Sequence, residues 1–240
     1  MGLTIGGPDT LPAGEPPATG PRAGSYSLPD YVRTAGLPLG GIPWDRARPM
    51  PEMNSYSGIV PDSFLILPGG VLFYESKFAI DGDGAGGNAE ADPYYQKDTS
   101  LHDALDRPLN SREMPFIVLP GKHDPDGRPQ WSDLDVIMGD LAVCFYRDKW
   151  CPVLFGDGGP SGKLGEGSMA AASRLGISPD PVRGGIGPDS VPPGVLHFVF
   201  PKSRNLGPRG KSGRPNTQDT AETVDRRVRA LFEALKTGAR

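Results

Sequence analysis

The chain has 240 residues, 37% of them hydrophobic, with 34 glycines, 28 prolines and a formal net charge of −4. Such a small acidic excess gives no electrostatic reason to expect nucleic-acid binding, and the sequence lacks the run of about eighteen apolar residues that a membrane span requires. The length fits one large domain or two small ones. Runs of Val, Leu, Ile and aromatic residues predict a loop-rich β protein, which we expect to be a monomer.

The first 55 residues are rich in Gly and Pro and lack sustained periodicity, which predicts an extended leader. Its start, MGLTIGGPDTLPAGEPPATG, has neither the basic nor the apolar region of a signal peptide. Residues 63–80 predict two strands around a Pro-Gly-Gly turn, and residues 81–101 predict a polar loop.

Residues 114–121 predict the next strand, and residues 134–157 predict two or three more, the last ending at Gly156. A two-residue turn at Arg147-Asp148 would place Cys144 directly opposite Cys151. The two cysteines are then either a cross-strand disulfide or a pair of buried thiols.

Two helices are expected in the second half of the chain. Residues 167–176 predict a short helix that begins after Ser168 and ends at Gly176. Residues 194–201 predict a further strand. The tail predicts an amphipathic helix, with an Asp219–Glu222 capping box ahead of its apolar stripe. We therefore expect a leader over residues 1–55, a β domain over residues 56–210 and a C-terminal helical segment over residues 211–240 that packs on the domain.

Two carboxylates lie close together in FGDGGPSGKLGEGS, residues 155–168. Asp157 follows an apolar run, and Glu166 lies between two glycines just before the predicted short helix. The small neighbours would let a polymer approach closely. Either both acids are solvated turn residues, or one carboxyl donates a proton while the other activates water or attacks a sugar. A working pair requires environments that push the two pKa values apart.

Other polar residues precede this segment. Asp81 and Asp83 fit a calcium loop, subsite carboxylates that hold ammonium groups, or a capped turn. A calcium loop is disfavoured, because its fifth and twelfth positions would be Ala85 and Asp92. Lys77 faces either water or the cleft, where it could lower the pKa of a neighbouring acid.

Gln96, Thr99 and Ser100 either hydrogen-bond sugar hydroxyls or cap a turn. The chain's histidines, His102, His123 and His197, lack the spacing of zinc ligands. The sequence predicts no metal site and no cofactor.

Several segments resemble the fungal-type chitosanases of glycoside hydrolase family 75. The family's pattern joins Phe-Gly-Asp, a glycine-rich loop and Gly-Glu-x-Ser, and Asp157 and Glu166 fall on its two acids. Three further segments resemble family blocks in the same order: YESKFAIDGDG (74–84), DPYYQKDTSL (92–101) and MGDLAVCFY (138–146). The resemblance covers roughly residues 60–200.

A second resemblance concerns DGGPSGKLGEGSMAAASRLG, residues 157–176. It is similar to the signature segment of double-psi β-barrels in the rare-lipoprotein-A and expansin group, although Glu166 and Gly167 replace that group's Asp-Leu. The resemblances imply a mainly β fold. In detail they imply a six-stranded double-psi-like barrel with long loops, a short helix after the catalytic loop and a C-terminal amphipathic helix.

The chitosanase resemblance implies an endo-acting glycoside hydrolase that cleaves β-1,4 bonds between glucosamine units of chitosan with inversion, outside the cell. A nearby helix start would favour a charged Glu166 as base, leaving Asp157 as acid. The substrate contacts implied are Lys77, Asp81, Asp83, Gln96, Thr99 and Ser100. Two alternatives stay open: a peptidoglycan-cleaving enzyme on the same barrel, and a non-catalytic glycan-binding barrel.

Overall fold

The structure, a computed structural model, describes residues 22–23, 26–28, 37, 39–88, 90, 92–120, 131–187 and 194–239. Most of the predicted leader therefore lies outside the described residues. His123, which is not part of the leader, lies outside them as well.

Short strands dominate the described part of the chain. The strands are β1 (Arg22–Ala23), β2 (Tyr26–Ser27), β3 (Arg48–Pro49), β4 (Leu65–Ile66), β5 (Leu72–Ser76), β6 (Ala79–Asp81), β7 (Phe116–Pro120), β8 (Leu141–Tyr146), β9 (Lys149–Gly159), β10 (Glu166–Ser168) and β11 (Val195–Phe200). The α-helices are α1 (Met169–Leu175) and α2 (Ala221–Thr237). Short 3-10 turns occur at Trp44–Arg46, Pro51–Ser55, Pro68–Gly70 and Trp131–Leu134. No helix in these described segments is long and apolar enough to cross a membrane.

Nine of the strands form one mixed sheet in the order β3-β4-β5-β11-β8-β9-β7-β10-β6. Strands β7 and β9 are parallel, as are β6 and β10, and the other neighbours are antiparallel. The mainly β prediction is confirmed. The six-stranded barrel is not confirmed, because the sheet has nine strands and stays open, with β3 and β6 as its edges.

Hydrophobic side chains alternate between the two faces of the sheet and form two cores. Helix α1 packs into the first core through Met169, Ala171, Ala172 and Leu175. Its predicted cap is present, because Ser168 Oγ accepts a hydrogen bond from the backbone N–H of Ala171.

Helix α2 packs into the second core through Val224, Val228, Phe232 and Leu235. The predicted helix is present, but the predicted Asp219–Glu222 capping box is wrong. Thr220 is the N-cap and pairs with Thr223, whereas the Asp219 carboxylate forms an ion pair with Arg227.

The end of the predicted leader packs on the same face as α2. The Trp44 ring lies 5.0 Å from that of Phe73, in an edge-to-face arrangement, and 5.9 Å from that of Phe198. Met53 is fully buried in the first core, on the opposite face, and β3 contributes an edge strand to the sheet.

The predicted hairpin with a turn at Arg147-Asp148 is present as β8 and β9. Cys144 and Cys151 are direct cross-strand partners, as expected, and both are buried free thiols. Strand β9 does not end at Gly156 as predicted but continues to Gly159.

Candidate active site

Asp157 and Glu166 lie on either side of the same residue in the sheet. Strand β7 runs between β9 and β10, and Val118 on β7 is paired with Asp157 on one side and with Glu166 on the other. Residues in direct register point their side chains to the same face of a sheet. The two acids therefore share one face, with Cα atoms separated by two strand spacings, about 9.5 Å.

A β-bulge produces this register. Ile117 pairs with Phe155 and Val118 pairs with Asp157, so Gly156 is an extra residue on β9. A Cβ atom on Gly156 would lie only 2.6 Å from the Cβ of Phe116, which explains why glycine occupies this position. A one-residue slip moves side chains to the opposite face. The bulge thus brings Asp157 to the same face as Glu166.

Glycine also keeps the space beside the two acids open. A Cβ atom on Gly159 would lie 2.8 Å from Val118 Cγ1 and 3.5 Å from Glu166 Oε2. The Glu166 carboxylate therefore lies over Gly159, two residues along the strand from Asp157. A side chain at position 159 would therefore clash with Val118 and approach the Glu166 carboxylate.

The Asp157 carboxylate is buried and held by hydrogen bonds to one of its oxygens. Oδ1 accepts from the backbone N–H of Ser100 at 2.9 Å, from Ser100 Oγ at 2.6 Å and from the backbone N–H of Gly158 at 2.7 Å. Burial raises the pKa of Asp157, and these hydrogen bonds and the nearby Arg214 oppose the rise. The other oxygen, Oδ2, accepts no hydrogen bond within the described residues, so it is the oxygen left for a ligand.

Lys77 lies on the Glu166 side of the site. Its Nζ donates to the backbone carbonyl of Gly165 at 3.1 Å. Gly165 has φ +78°, and a Cβ there would lie 2.2 Å from the Lys77 carbonyl oxygen, so this close approach requires glycine. Burial and the neighbouring Lys163 lower the pKa of Lys77 to about 8, although Glu166 opposes the change.

Asp81 lies on the same face as the two acids, two strands from Val118. It pairs with Ser168, which is two residues after Glu166 on β10. Burial raises the pKa of Asp81 to about 8, and the charges of Asp157, Asp83 and Glu166 add to the rise.

Asp83 belongs to the same acidic group. Burial raises its pKa to about 6, with contributions from Asp157, Asp92 and Glu166. Its Oδ1 accepts a hydrogen bond from the backbone N–H of Gln96 at 2.7 Å. We refer to Asp81, Asp83, Asp157 and Glu166 as the acidic quartet.

The three remaining predicted contacts differ in their surroundings. Gln96 is exposed. Thr99 is buried, and its hydroxyl donates to the Leu101 carbonyl and accepts from the Leu109 N–H, so it braces the loop. Ser100 binds the Asp157 carboxylate itself. These three residues are brought to the site as one loop, and their contact with a sugar stays a prediction.

Sequence reasoning missed the residues that hold this loop. His102 lies between two carboxylates, with Nε2 2.6 Å from Asp98 Oδ1 and Nδ1 3.2 Å from Asp106 Oδ1. Asp98 also pairs with Arg214 at 2.9 Å, and the backbone of His102 bonds to both Pro215 and Thr217. The sequence signal for this contact was the spacing of Asp98 and Asp106, which lie four residues before and four residues after His102.

A cavity of about 460 Å³ lies next to the residues that hold the Asp157 carboxylate, although Asp157 is not among the described residues that line it. Ser100 and Gly158, the two residues that hydrogen-bond Asp157, form part of its wall. Trp131 and Arg214 also line it, and neither was singled out from the sequence. In the described ranges, no group of three or more His, Cys, Asp or Glu side chains is arranged to hold a metal ion.

Comparison of the chain with protein-family models gave no match, and no curated protein matches it. The candidate function therefore depends on the geometry of the site and on the motif resemblance.

Proposed function

We propose that the protein is an endo-acting glycoside hydrolase that cleaves β-1,4 bonds between glucosamine units with inversion. The observation that carries this proposal is the pairing of both Asp157 and Glu166 with Val118, which directs two carboxylates to one face of the sheet. Inverting glycosidases need two carboxyl groups roughly 6.5–9.5 Å apart, with a sugar bond and a water molecule between them. A Cα separation of about 9.5 Å, with side chains on the same face, is compatible with that requirement.

Asp157 is proposed as the general acid. An acid must hold its proton near the operating pH, and burial raises the pKa of this carboxyl. Its hydrogen-bonded Oδ1 fixes the orientation of the group, while Oδ2 carries the proton toward the leaving oxygen. The proton passes from Oδ2 to the glycosidic oxygen as the bond from that oxygen to the anomeric carbon breaks.

Glu166 is proposed as the general base. It is less buried than Asp157, and its carboxylate lies near Gly159, which has no side chain to cover it. It accepts a proton from water as the water oxygen attacks the anomeric carbon from the face opposite the leaving group. The products are a new reducing end of inverted configuration and a free hydroxyl on the leaving sugar.

Asp81 and Asp83 support an amino-sugar polymer as substrate. Burial is the main cause of the raised pKa values of Asp81 and Asp83, and the charges of the neighbouring carboxylates add to it, so ionising all four carboxylates is costly. A bound ammonium group reduces this cost, because an opposite charge favours the ionised form. Glucosamine units carry such a group at every position.

Two finer expectations belong to this proposal. Action outside the cell is supported by the chitosanase resemblance. A double-psi-like barrel is supported by the segment over residues 157–176 and by parallel pairing in the strands beside it.

The test is hydrolysis of chitosan by the full chain, followed by the release of reducing ends and by proton NMR of the first anomer formed. We expect the anomer to be inverted. Asp157→Asn and Glu166→Gln should each abolish turnover while the circular dichroism spectrum stays unchanged. Asp148→Asn, at the exposed hairpin turn, is the matched control.

Retention of near-normal turnover by either site variant would refute the pair. Binding of chitosan without release of reducing ends would indicate a glycan-binding protein instead. Cleavage of purified peptidoglycan but not of chitosan would mean that the protein is a peptidoglycan-cleaving enzyme instead.

A further inference from the structure

His102 lies between two carboxylates that each bind a second segment of the chain. Nε2 of its ring is 2.6 Å from Asp98 Oδ1, and Nδ1 is 3.2 Å from Asp106 Oδ1. Asp98 forms an ion pair with Arg214 at 2.9 Å. Asp106 accepts a hydrogen bond from the backbone N–H of Ser212 at 2.9 Å. The ring therefore contacts both of the carboxylates that join its own loop to the later segment.

The hydrogen bonds of His102 are complete only if both ring nitrogens carry a proton. An ionised carboxylate only accepts hydrogen bonds, and an imidazole donates from both nitrogens only as the imidazolium ion. Both partners are ionised near neutral pH, because hydrogen bonds from Ser212 lower the pKa of Asp106 to about 2 and the hydrogen bond to His102 lowers the pKa of Asp98. The residue is 4% exposed, so water has little access to its ring nitrogens.

The charges of this group balance when the ring is an imidazolium ion. Asp98 and Asp106 contribute two negative charges, and Arg214 and the His102 ring contribute two positive charges. A neutral ring would leave one carboxylate oxygen facing a ring nitrogen with no proton between them, and an acceptor that faces another acceptor makes no hydrogen bond. We refer to these four residues as the His102 cluster.

The two segments that the His102 cluster joins each supply a group that acts on Asp157. Ser100 lies between Asp98 and His102 in the chain, and it donates to Asp157 Oδ1 from its backbone N–H and its hydroxyl. Arg214 belongs to the later segment. Burial raises the pKa of Asp157, and the hydrogen bonds from Ser100 and the charge of Arg214 oppose the rise. Both groups therefore favour the ionised form of this carboxyl.

We propose that His102 is a positioning residue: its doubly protonated ring holds the two segments together and so keeps both groups at the Asp157 carboxylate. The protonation of the ring follows from its own contacts, whereas the effect on turnover rests on the proposed function. The backbone of His102 also donates to Pro215 and accepts from Thr217, at 2.9 and 2.8 Å. Loss of the ring should therefore loosen the two groups without separating the segments.

The first measurement counts the ring protons of His102 in the full chain by nitrogen–proton NMR at pH 6. Exposed ring N–H protons exchange with water too fast to be observed, whereas buried and hydrogen-bonded ones stay visible. We expect two such signals from His102, assigned to one ring through its carbon-bound protons and lost in His102→Phe. His197 is the internal control, because burial lowers its pKa to about 3 and it carries a single ring proton at pH 6. One ring N–H signal from His102, or none, would overturn the proposal.

The second measurement is the pH profile of kcat on chitosan. The groups that His102 holds in place favour the ionised form of Asp157, so His102→Phe should move the alkaline limb up by about one pH unit, the equivalent of one charge-assisted hydrogen bond. We expect kcat to fall and KM to change little. Arg107→Gln is the matched control, because it removes the exposed ion pair with Asp103 in the same loop and should leave the limb in place. A lower rate with an unmoved alkaline limb would make His102 a purely structural residue and overturn its positioning role.

A double variant tests whether His102 acts through Ser100. Residues in one hydrogen-bond network are coupled, so the limb shift of His102→Phe combined with Ser100→Ala should be smaller than the sum of the two single shifts. Fully additive shifts would contradict this route.

Failure of this inference and failure of the hydrolase proposal have different signatures. Hydrolysis of chitosan by a protein with one His102 ring signal would refute only the positioning role. Two His102 ring signals without any hydrolysis would refute the hydrolase and the positioning role with it, while the doubly protonated ring would stand.

Discussion

Ser100 donates two hydrogen bonds to a single oxygen of Asp157, from its backbone N–H at 2.9 Å and from its hydroxyl at 2.6 Å. The hydroxyl oxygen also accepts from the backbone N–H of Gly158 at 3.1 Å. Ser100 thus sets the orientation of the proposed acid rather than only the shape of a turn. It is a positioning residue whose effect should be visible in the pH dependence of the reaction.

Ser100→Ala removes one donor to the ionised form of Asp157, and a lost donor raises the pKa of a carboxyl group. We expect the alkaline limb of the pH profile of kcat to move up by about one pH unit, the equivalent of one charge-assisted hydrogen bond. We also expect kcat at its optimum to fall about tenfold, because the carboxyl is less firmly oriented. Steady-state rates on chitosan between pH 4 and about pH 9 measure both quantities.

Ser100→Thr keeps the hydroxyl and should restore the position of the alkaline limb. Ser161→Ala, on the exposed loop that follows β9, is the control for loss of a nearby serine. An unchanged alkaline limb in Ser100→Ala would mean that Asp157 is not the group that loses its proton in this pH range.

Local patterns predicted the elements that carry the site but not their register. The β8–β9 hairpin was predictable, because alternating apolar residues lie on both sides of a two-residue turn. The Ser168 cap of α1 was also predictable, because a serine directly ahead of a helical segment is a local signal that spans only four residues. The N-cap of α2 is Thr220, one residue after the predicted Asp219, because the Asp219 carboxylate forms an ion pair with Arg227. Local propensity does not predict such a contact.

The common face of Asp157 and Glu166 could be proposed only from the resemblance. It depends on β7 lying between β9 and β10 and on an extra residue at Gly156, and neither is encoded by spacing near the two acids. The loop that holds Asp157 comes from residues 57 positions earlier, and the Arg214 side chain comes from 57 positions later. Pairing over such distances is decided by the packing of the whole sheet.

Asp81 should make the stability of the protein depend on pH. Its pKa is about 8 in the folded protein and 3.8 in the absence of structure, so the folded state binds more protons than the unfolded chain between these values. The free energy of unfolding therefore falls as the pH rises from about 4 to about 8. Asp81→Asn keeps an oxygen for the backbone N–H of Asp83 and removes the charge.

We expect Asp81→Asn to raise the free energy of unfolding at pH 8.5 by roughly 1–3 kcal/mol relative to the unmodified protein, and to change it little at pH 4. Urea unfolding at the two pH values gives both numbers. Asp148→Asn on the exposed hairpin turn should show no such difference between the two conditions. Equal pH dependence in Asp81→Asn and the unmodified protein would contradict the assignment.

Binding of a glucosamine polymer should release protons from the acidic quartet. Asp81, with a pKa of about 8, and Asp83, with a pKa of about 6, are largely protonated at pH 5.5. A bound ammonium group lowers both pKa values and drives protons into the buffer. Calorimetry of a deacetylated chito-oligosaccharide binding to Glu166→Gln, in two buffers of different ionisation enthalpy, measures the number released.

We expect a net release of up to about one proton per site, reduced when Asp81 is also changed to Asn. The fully acetylated oligosaccharide carries no ammonium group and should release fewer protons. Identical binding enthalpies in the two buffers would mean that the carboxylates do not contact the amino groups.

Phe232 is the aromatic residue among the four α2 side chains buried against the sheet. Phe232 is 1% exposed, and its ring centroid lies 5.3 Å from that of Phe145 and 5.5 Å from that of Phe198. Truncation leaves a cavity between the helix and strands β8 and β11. We expect Phe232→Ala to lower the free energy of unfolding by about 3–5 kcal/mol, measured by urea titration at pH 5. Leu231→Ala lies next to it on the same apolar stripe but is only partly buried, so its loss should be markedly smaller. Equal losses of unfolding free energy in the two variants would contradict the packing of Phe232 against β8 and β11.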